Sequence, residues 1–566
     1  MHQSFDIKDK DTVKANFSIK KAVLILIPLS LVLTFFFFLF TKSDYLIPNI
    51  SYVFGKKDYV RYDTFTLSFD ESIPEAYVTS AISNLEKLEF QGKKRFEIVS
   101  EDADIVLSRE AGENSKEVFS KNLIPVAHVY SLVDKIDMGD TKNFNLFVLS
   151  SLNQELVKQE YGREATLLMS YSELVSKVEE SDNNIGLVEF SDLDFRVKIL
   201  ETEEGYYLDN RNAGIEIKFY AQLSENVDDF ILSVLSENID IGTEGWDEEK
   251  LTKVNMGGVV AIARSLAARM DQVEDYAYPA KEIGSFLADA DLTHVSNEVS
   301  FVEGCSVYGG MRFCSKPEYI ETLKKSGVDI VELTGNHNND FGSEYNKNTI
   351  ETYTSLGMRY FGGGLDSEDA SKILYEEVNG STIAFVGYNY YDTMLGTLAL
   401  AGTERAGANS YSVEKLRRDV AEANEKADVV IVTFQFQECW SYPDTDVIYP
   451  PCYRPVAVPD QEGVFKQAID FGADIVVGTQ AHQPQTYELY GDGIIFYGLG
   501  NLYFDQINWI GTRQGLVLSH YFYDGKYIQT KVTPILLGSD FIPRVANEEQ
   551  SALLMELLKD ARNWGF

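Results

Sequence analysis

Basic residues are scarce in this chain of 566 residues. Lys and Arg number 50 against 88 Asp and Glu, which gives a formal net charge of −38. A surface of this sign repels the phosphates of nucleic acids and of anionic lipids. The composition therefore excludes nucleic acid as a partner and is compatible with cation binding. It is equally compatible with an acidic, solvated surface that has no specific partner.

Histidine is rarer still, with six residues, so the position of each one is informative. The run V-D-I-V-E-L-T-G-N-H ends at His337, and the run A-D-I-V-V-G-T-Q-A-H ends at His482. A short apolar run that stops at polar residues is typical of a buried β-strand. Ligands of open α/β folds bind at the carboxyl ends of strands, so both histidines are predicted to lie at a functional site.

Charged residues are absent from residues 22–40, a run of 19 residues. About 20 apolar residues cross a bilayer as one helix, so this run is predicted to span a membrane. Five lysines precede it and only Lys42 follows closely, which by the positive-inside rule places the N-terminus in the cytoplasm. No small-x-small cleavage site follows, so we expect an uncleaved signal anchor in the cell membrane, with the large domains outside.

Cysteine is also scarce, and none of the four residues shows the C-x-x-C spacing that a cysteine zinc site usually needs. Cys305 and Cys314 form one local pair, and Cys439 and Cys452 form another. An even number of cysteines in an exported domain favours disulfides over free thiols. We therefore expect the Cys305–Cys314 and Cys439–Cys452 bonds, although four cysteines allow three pairings.

The chain is too long for one compact core, so several domains are expected. We predict a cytoplasmic tail at residues 1–21, the anchor at 22–40, an N-terminal α/β domain at 45–247 and a second domain at 251–566. The run L-I-P-V-A-H-V-Y-S-L-V-D-K-I-D at 123–137 resembles the crossover segment of phosphate-type solute-binding proteins, with His128 as a core residue. The acidic stretch at 224–249 is interpreted as a linker.

The C-terminal region has the clearer pattern of secondary structure. Apolar runs at 328–333, 383–387, 429–434, 475–478 and 494–497 predict strands. Helices are predicted between them at 412–426, where Ser412 is the expected N-cap, and at 460–471. This alternation predicts a layered α/β domain.

Five motifs in this region, in order along the chain, resemble those of the CapA family of capsule and poly-γ-glutamate biosynthesis proteins. They are A-D-L-T-H-V-S-N-E with Glu298, T-G-N-H-N-N-D-F-G, F-Q-F-Q-E, G-T-Q-A-H-Q-P-Q and Y-G-L-G-N-L-Y-F-D-Q. The resemblance covers the C-terminal half only. It implies a layered fold related to calcineurin-like metallophosphoesterases, whose metals bind phosphate and generate hydroxide from water.

The resemblance also implies roles for individual residues. As catalytic residues it suggests His337, Asp340, Glu438 and Gln435. As substrate-binding residues it suggests Gln480, Asn501 and Asp505. As ligands of one divalent metal, Mn, Zn or Fe, it suggests Glu298, Asn336, His337 and His482.

Three positions depart from the family pattern. Gly257 or Gly258 stands where the first motif usually has an acid, Gln435 replaces a histidine, and Gln480 replaces the first histidine of an H-x-H pair. A complete two-metal centre is therefore not expected. A single metal and a metal-free pocket lined by amides, suited to binding carbohydrate or polyamide, are equally compatible with the remaining residues.

Three functions remain open from the sequence. The first is a membrane-anchored protein outside the cytoplasm that supports synthesis or export of a capsule-type or poly-γ-glutamate-type polymer, with the polymer or membrane synthase components as partners. The second is a metal-dependent phosphoesterase or hydrolase with His337 as general acid. The third is a non-catalytic protein that binds a polymer or a solute.

Overall fold

The computed structural model describes residues 64–90, 93–112, 115–225, 227–239, 247–306, 310–395, 398–437 and 450–563. The predicted tail and anchor at 1–40, and the residues Glu438 and Cys439, lie outside these ranges. Within them, no helix combines the length and the apolar character needed to cross a bilayer. The membrane anchor therefore stays a prediction.

The described chain forms two compact units, one within Met1–Ser120 and Lys218–Gly242 and the other within Lys121–Ile217 and Thr243–Phe566. The domain boundaries drawn from the sequence remain predictions. The strands of the N-terminal half are β1 Phe65–Phe69, β2 Glu89–Phe90, β3 Lys93–Lys94, β4 Phe96–Ile98, β5 Ile105–Ser108, β6 Ser115–His128, β7 Asn145–Val148, β8 Thr166–Leu167, β9 Asn184–Val188, β10 Val197–Ile199 and β11 Ile215–Leu223. Its helices are α1 Glu75–Leu85, α2 Ser151–Tyr161, α3 Tyr171–Glu179 and α4 Asp229–Ile239.

The first unit is a small α/β layer. Strand β1 pairs in parallel with β4 and β5, and β11 joins β5 in antiparallel orientation. Part of the acidic stretch 224–249, which is predicted to link two domains, forms helix α4 of the first unit. Its residues Ile231, Leu235 and Ile239 are fully buried, because their spacing of four places them on one face of the helix.

The N-terminal part of the second unit is built on β6, which pairs with β9 and β10 in antiparallel orientation. Strand β7 runs parallel to β9 and to β8. His128, at the end of β6, is 6% exposed, which confirms the prediction that it is a core residue. Burial lowers its pKa to about 4.

The C-terminal part of this unit contains two larger sheets. Its strands are β12 Leu251–Val260, β13 Leu292–Asn297, β14 Ile330–Glu332, β15 Arg359–Phe361, β16 Gly363–Gly364, β17 Leu374–Val378, β18 Ser381–Asn389, β19 Gly407–Ala408, β20 Val429–Gln435, β21 Ile475–Gly478, β22 Pro484–Tyr490, β23 Gly493–Leu499, β24 Asn501–Tyr503, β25 Gln514–Tyr523, β26 Lys526–Leu537 and β27 Pro543–Val545. Its helices are α5 Arg264–Val273, α6 Gly284–Leu287, α7 Ile320–Lys325, α8 Ser343–Ser355, α9 Tyr391–Leu395, α10 Val413–Asn424, α11 Gln461–Asp470, α12 Ile510–Arg513 and α13 Glu548–Asn563.

The first sheet is parallel on one side and antiparallel on the other, whereas the second has a parallel centre and antiparallel margins. The first has the order β15-β14-β13-β12-β25-β26-β27, and β24 also pairs with β12. The second has the order β17-β18-β20-β21-β23-β22. Strands β12 to β15 run parallel in the first sheet, as do β18, β20, β21 and β23 in the second.

The sheets pack face to face between two layers of helices. Side chains of β14 and β20 such as Ile330 and Ile431 meet in one central cluster. The next residues along these strands point the other way, so Val331 packs with α5 to α8 and Val432 packs with α10 and α11. Burial on both faces explains why these strands are uninterrupted apolar runs. The layered α/β architecture confirms the prediction from the sequence.

The predicted elements of this region are present, with shifted ends. The run at 475–478 matches β21 residue for residue, whereas the run at 328–333 is reduced to three strand residues. Ser412 is the N-cap of α10, and its side chain accepts a hydrogen bond from the Lys415 backbone N–H. Asp460 caps α11 in the same way through Gly463 N–H.

A group of buried polar side chains lies on the strands of the first sheet. His294 Nε2 on β13 lies 3.2 Å from Glu332 Oε2 on β14, and neither side chain is exposed. His520 on β25 lies nearby and shares a hydrogen bond with Thr530 Oγ1 at 2.6 Å. Burial and the neighbouring His294 lower the pKa of His520 to about 3.

His520 should make folding sensitive to acid. Its folded pKa is lower than the ordinary value near 6.5, so the unfolded chain takes up the proton first and stability falls as pH drops below 6.5. We expect about 2 kcal/mol to be lost by pH 5. The melting temperature of the His520→Gln variant should fall less between pH 7.5 and pH 5 than that of the wild type.

The Thr530→Val variant is the matched control, because it removes the hydrogen bond and keeps the titrating group. It should retain the acid sensitivity of the wild type. The buried Asp474 opposes the effect, since burial raises its pKa to about 6, but it is common to all three proteins. An equal acid sensitivity of wild type and His520→Gln would contradict the prediction.

Candidate functional site

The parallel strands of the two sheets have their carboxyl ends at one common edge. Thr479, which follows β21 in the second sheet, donates through Oγ1 to Glu332 Oε1 of the first sheet at 2.8 Å. Asn389 Nδ2 at the end of β18 donates to the Thr334 carbonyl at 2.8 Å, and Asn389 is the register partner of Gln435. These contacts bring the loops that carry the predicted site residues together.

His337 and Asp340 form a hydrogen-bonded pair in the loop after β14. His337 Nδ1 lies 2.7 Å from Asp340 Oδ2, which also accepts the Phe313 backbone N–H at 2.7 Å. The Phe313 ring packs on the imidazole with a centroid separation of 4.1 Å. Because Nδ1 is held by the carboxylate, Nε2 is the nitrogen suited to proton transfer or ligand binding. Asp340 is thus a positioning residue for His337.

His482 is oriented in a similar way by an amide. Its Nδ1 lies 2.9 Å from Asn501 Oδ1, while Asn501 Nδ2 donates to the Thr512 carbonyl at 2.9 Å. The amide oxygen must therefore be the acceptor and His482 Nδ1 the donor. Asn501, predicted to bind substrate, lies behind His482 and fixes the orientation of its ring.

Arg264 is a central residue that sequence reasoning missed. Its guanidinium lies 4.5 Å from the Phe313 ring and 4.9 Å from the Phe504 ring, and its Nε donates to Asp505 Oδ1 at 3.1 Å. Asp505 Oδ2 also accepts the Ser265 backbone N–H at 3.0 Å. The carboxylate predicted to bind substrate is therefore engaged by Arg264.

The backbone at Arg264 is also unusual. Its φ of 49° lies in the left-handed region, which is disfavoured by about 1–2 kcal/mol for a residue other than glycine. The ion pair and the two aromatic contacts compensate for this conformation. The signal in the sequence was the arginine that ends N-M-G-G-V-V-A-I-A-R, but its partner lies 241 residues away.

The two glutamines that are predicted to replace histidines of the family pattern bind each other. Gln435 Nε2 donates to Gln480 Oε1, and the residues are 0% and 4% exposed. Gln435 Oε1 and Asn336 Oδ1 are buried and, within the described part of the chain, have no hydrogen-bond partner. The site therefore presents two amide oxygens as acceptors where the family pattern has metal ligands.

Glycine is required at the start of the site. A Cβ atom on Gly258 would lie 2.0 Å from the Gly500 carbonyl oxygen, closer than any real contact. Gly257 and Gly258 sit where the pairing of β12 with β13 shifts register between Met256 and Val259. An acid at residue 258 would require the backbone of Gly500 to move.

These observations decide the fit of a two-metal centre. In the part of the chain that the structure describes, no three His, Cys, Asp or Glu residues are grouped closely enough to hold a metal ion. Glu298 is fully buried, and a Cβ on Gly335 would lie 2.6 Å from its Cα, so it does approach the loop that carries Asn336. The pairing of Gln435 with Gln480 and the closed position at Gly258 do not fit two metals.

A disulfide supports one wall of the site. Cys305 and Cys314 are bonded as predicted, with their Cα atoms 6.0 Å apart, and Phe313 immediately precedes Cys314. The bond therefore restricts the segment that places Phe313 against His337. Cys452 is also disulfide-bonded, whereas its predicted partner Cys439 and the predicted catalytic residue Glu438 lie outside the described residues.

Comparison with known proteins finds relatives that are similar to this region. Residues 253–506 match the family described as bacterial capsule synthesis protein PGA_cap. The chain is 29% identical over 225 residues to the capsule biosynthesis protein CapA of Bacillus anthracis, covering 39% of this chain and 51% of the relative. It is 27% identical over 247 residues to the PGA biosynthesis protein CapA of Bacillus subtilis strain 168, covering 43% and 60%.

The chain spans about half to three fifths of the length of these two relatives. The region matched by the family, residues 253–506, contains the candidate site. Among solved structures, a hypothetical protein from Thermus thermophilus aligns with 50% of this chain and 98% of its own at 14% identity, with a TM-score of 0.31. A structural likeness this distant carries no functional meaning. The resemblance to CapA read from the five motifs is confirmed by the sequence relatives.

The closed position at Gly258 generates a stability prediction. Gly258→Asp should lower stability by at least about 3 kcal/mol, because the new Cβ meets backbone rather than a movable side chain. Gly257→Ala is the control, since its Cβ would meet the end of the Leu502 side chain rather than backbone. Thermal unfolding compares the two. A wild-type melting temperature for Gly258→Asp would show that the acid was not excluded by space.

Proposed function

From the membership of residues 253–506 in the CapA family, we propose that this chain is a membrane-anchored protein outside the cytoplasm that supports synthesis or export of a surface polymer. The polymer is of the capsule or poly-γ-glutamate type. The observation that carries the proposal is the family match, because it covers the parallel strands of both sheets and the edge where their ends meet. The charge-free run at 22–40 supports the anchor, and the disulfide supports a location outside the cytoplasm.

The chemistry of the edge is compatible with an amide-linked polymer. Asn336 Oδ1 and Gln435 Oε1 are acceptors for N–H donors, and His337 Nε2 can accept or donate a proton. A net charge of −38 disfavours holding a polyanion by general electrostatic attraction. Recognition would therefore depend on local hydrogen bonds at the strand ends.

Complementation of a deletion strain of the native host tests this function. His337→Ala should reduce the polymer measured at the cell surface by at least about tenfold, because the oriented imidazole is lost. Asp340→Asn should reduce it by about tenfold, since a neutral amide holds the imidazole less well than a carboxylate. Lys347→Ala, an exposed change on α8, should restore wild-type polymer.

Two further readouts make the experiment decisive. Immunoblots and melting temperatures must show that the variants are present and folded. Fractionation should recover the chain in membranes, with its C-terminal region cut by protease added to intact protoplasts. Unchanged polymer in the deletion strain would refute the role in polymer formation, and a chain in the soluble fraction would refute the anchor.

A metal-dependent hydrolase is the second candidate. It is favoured by the two oriented imidazoles, His337 with Asp340 and His482 with Asn501, since ligating histidines usually have such a partner. Glu298 and Asn336 would complete a single-metal site, and the metal would supply a hydroxide when bound. The paired glutamines disfavour it, so the polymer-supporting role is preferred.

Metal content separates the two candidates. We expect the purified full chain, prepared without chelators, to contain no stoichiometric divalent metal by mass spectrometry. The double variant His337→Ala, His482→Ala provides the background from adventitious sites. Stoichiometric Mn, Zn or Fe in the wild type that is lost in the double variant would establish the metal site and favour the hydrolase.

A further inference from the structure

The second unit contains another cleft whose lining residues differ from those of the candidate site. It has a volume of about 630 Å³, within the range of small-molecule sites. The walls come from β10, β26, α13 and the loop that follows β6. Neither the family motifs nor the relatives' names assign a function to this cleft.

Positively and negatively charged side chains line the cleft in equal numbers. Three lysines and three carboxylates line it: Lys135, Lys198, Lys531, Asp134, Glu201 and Glu548. In a chain with a net charge of −38, a cleft with three lysines is a local exception. Groups of both signs lie side by side, so a ligand with separate positive and negative ends would find partners for each.

The ionic groups are close but remain open to solvent in part. Lys198 Nζ lies 2.5 Å from Asp134 Oδ1, and Lys135 Nζ lies 3.0 Å from Glu548 Oε1. Lys135 and Glu548 are 60% and 89% exposed, and exposed pairs of this kind are weak. A ligand can therefore take over the contacts of Lys135 and Glu548 with little loss of stability.

One buried amide oxygen in the wall has no hydrogen-bond partner among the described residues, although the same side chain is hydrogen-bonded to Tyr206. Gln529 is 2% exposed, and its Oε1 has no hydrogen-bond partner within the described part of the chain. Thr533, further along β26 on the same face of the strand, has an unpartnered Oγ1. A buried polar atom without a partner costs about 1–3 kcal/mol, so this wall is suited to a ligand that donates an N–H.

The remaining wall is apolar. Val129, Ile199, Val532 and Met555 line the cleft beside the charged groups. Ligand sites of this size usually combine such a surface with a few polar groups that fix orientation. The apolar wall provides space for a side chain next to a charged end.

We propose that this cleft binds a free α-amino acid as a zwitterion. Its ammonium group would donate to Gln529 Oε1 and lie among the carboxylates, its carboxylate would bind the lysines, and its side chain would pack on Val532 and Met555. The proposal does not depend on the role in polymer formation, because the two sites share no residue.

Binding to the purified full chain is the direct test. The twenty L-amino acids are screened singly by thermal shift, and the one that stabilises most is titrated by calorimetry. Its N-acetyl and α-amide derivatives each lack one charged end and should bind at least about tenfold more weakly. Absence of binding by all twenty, or equal binding of the derivatives, would overturn the proposal.

Variants place the ligand in the cleft. Lys135→Met removes an exposed ammonium and Gln529→Leu removes the unused oxygen at similar volume, so each should weaken binding about tenfold or more. Lys347→Met on α8 is the matched control and should bind as the wild type does. Should Gln529→Leu fail to fold, Lys135→Met still decides, because its side chain is exposed.

One more variant separates this proposal from the function proposed above. His337→Ala should bind the amino acid normally while failing to support polymer formation. Wild-type affinity in both Lys135→Met and Gln529→Leu would place the ligand elsewhere and overturn the assignment. Loss of binding in His337→Ala would do the same, since it would locate the ligand at the strand ends.

Discussion

The contacts of Glu332 hold the two sheets of the second unit in register. Its carboxylate is fully buried at the sheet interface, where Thr334 and Thr479 donate to one oxygen and His294 Nε2 lies 3.2 Å from the other. The two hydrogen bonds to this one oxygen come from different sheets, because Thr334 follows β14 and Thr479 follows β21, so the positions of the two strand ends are coupled. Thr334 leads into the loop of His337, and Thr479 leads into Gln480. The geometry of the candidate site therefore depends on one buried acid behind it.

The layer in front of Glu332 is held differently, by aromatic rings and one ion pair. Phe313 contacts the His337 ring, Phe504 contacts the His482 ring at 5.2 Å, and the Arg264 guanidinium lies against both phenylalanines. Cation–π contacts and a partly buried ion pair restrict motion in all these side chains together. Both imidazoles are thus fixed twice, by an oxygen at Nδ1 and by a ring against the imidazole face.

Sequence reasoning recovered the layered domain because its central strands are buried on both faces. Such strands appear as apolar runs, and the site residues follow them directly, as His337 and His482 do. It missed Arg264 and the pairing of Gln435 with Gln480, since these contacts join residues 241 and 45 positions apart. It also did not predict helix α4 within the acidic stretch 224–249, where three apolar residues on one helix face are buried. Contacts between distant residues depend on packing, which no local pattern encodes.

Glutamines at the two positions where the family pattern is expected to have histidines determine what the strand ends can bind. An imidazole offers one lone pair to a cation, whereas a side-chain amide offers both a hydrogen-bond donor and an acceptor. Gln435 uses its N–H donor, and Gln480 its oxygen, in the hydrogen bond that joins them. The oxygen that remains on Gln435, with that of Asn336, can accept a hydrogen bond from an N–H donor. Gly258 prevents a return of the missing acid, because its Cβ would meet the Gly500 carbonyl. The backbone packing at Gly258 and the amide groups of the two glutamines thus both favour a site that recognises its ligand by hydrogen bonds. The oriented imidazole of His337 lies at the same edge.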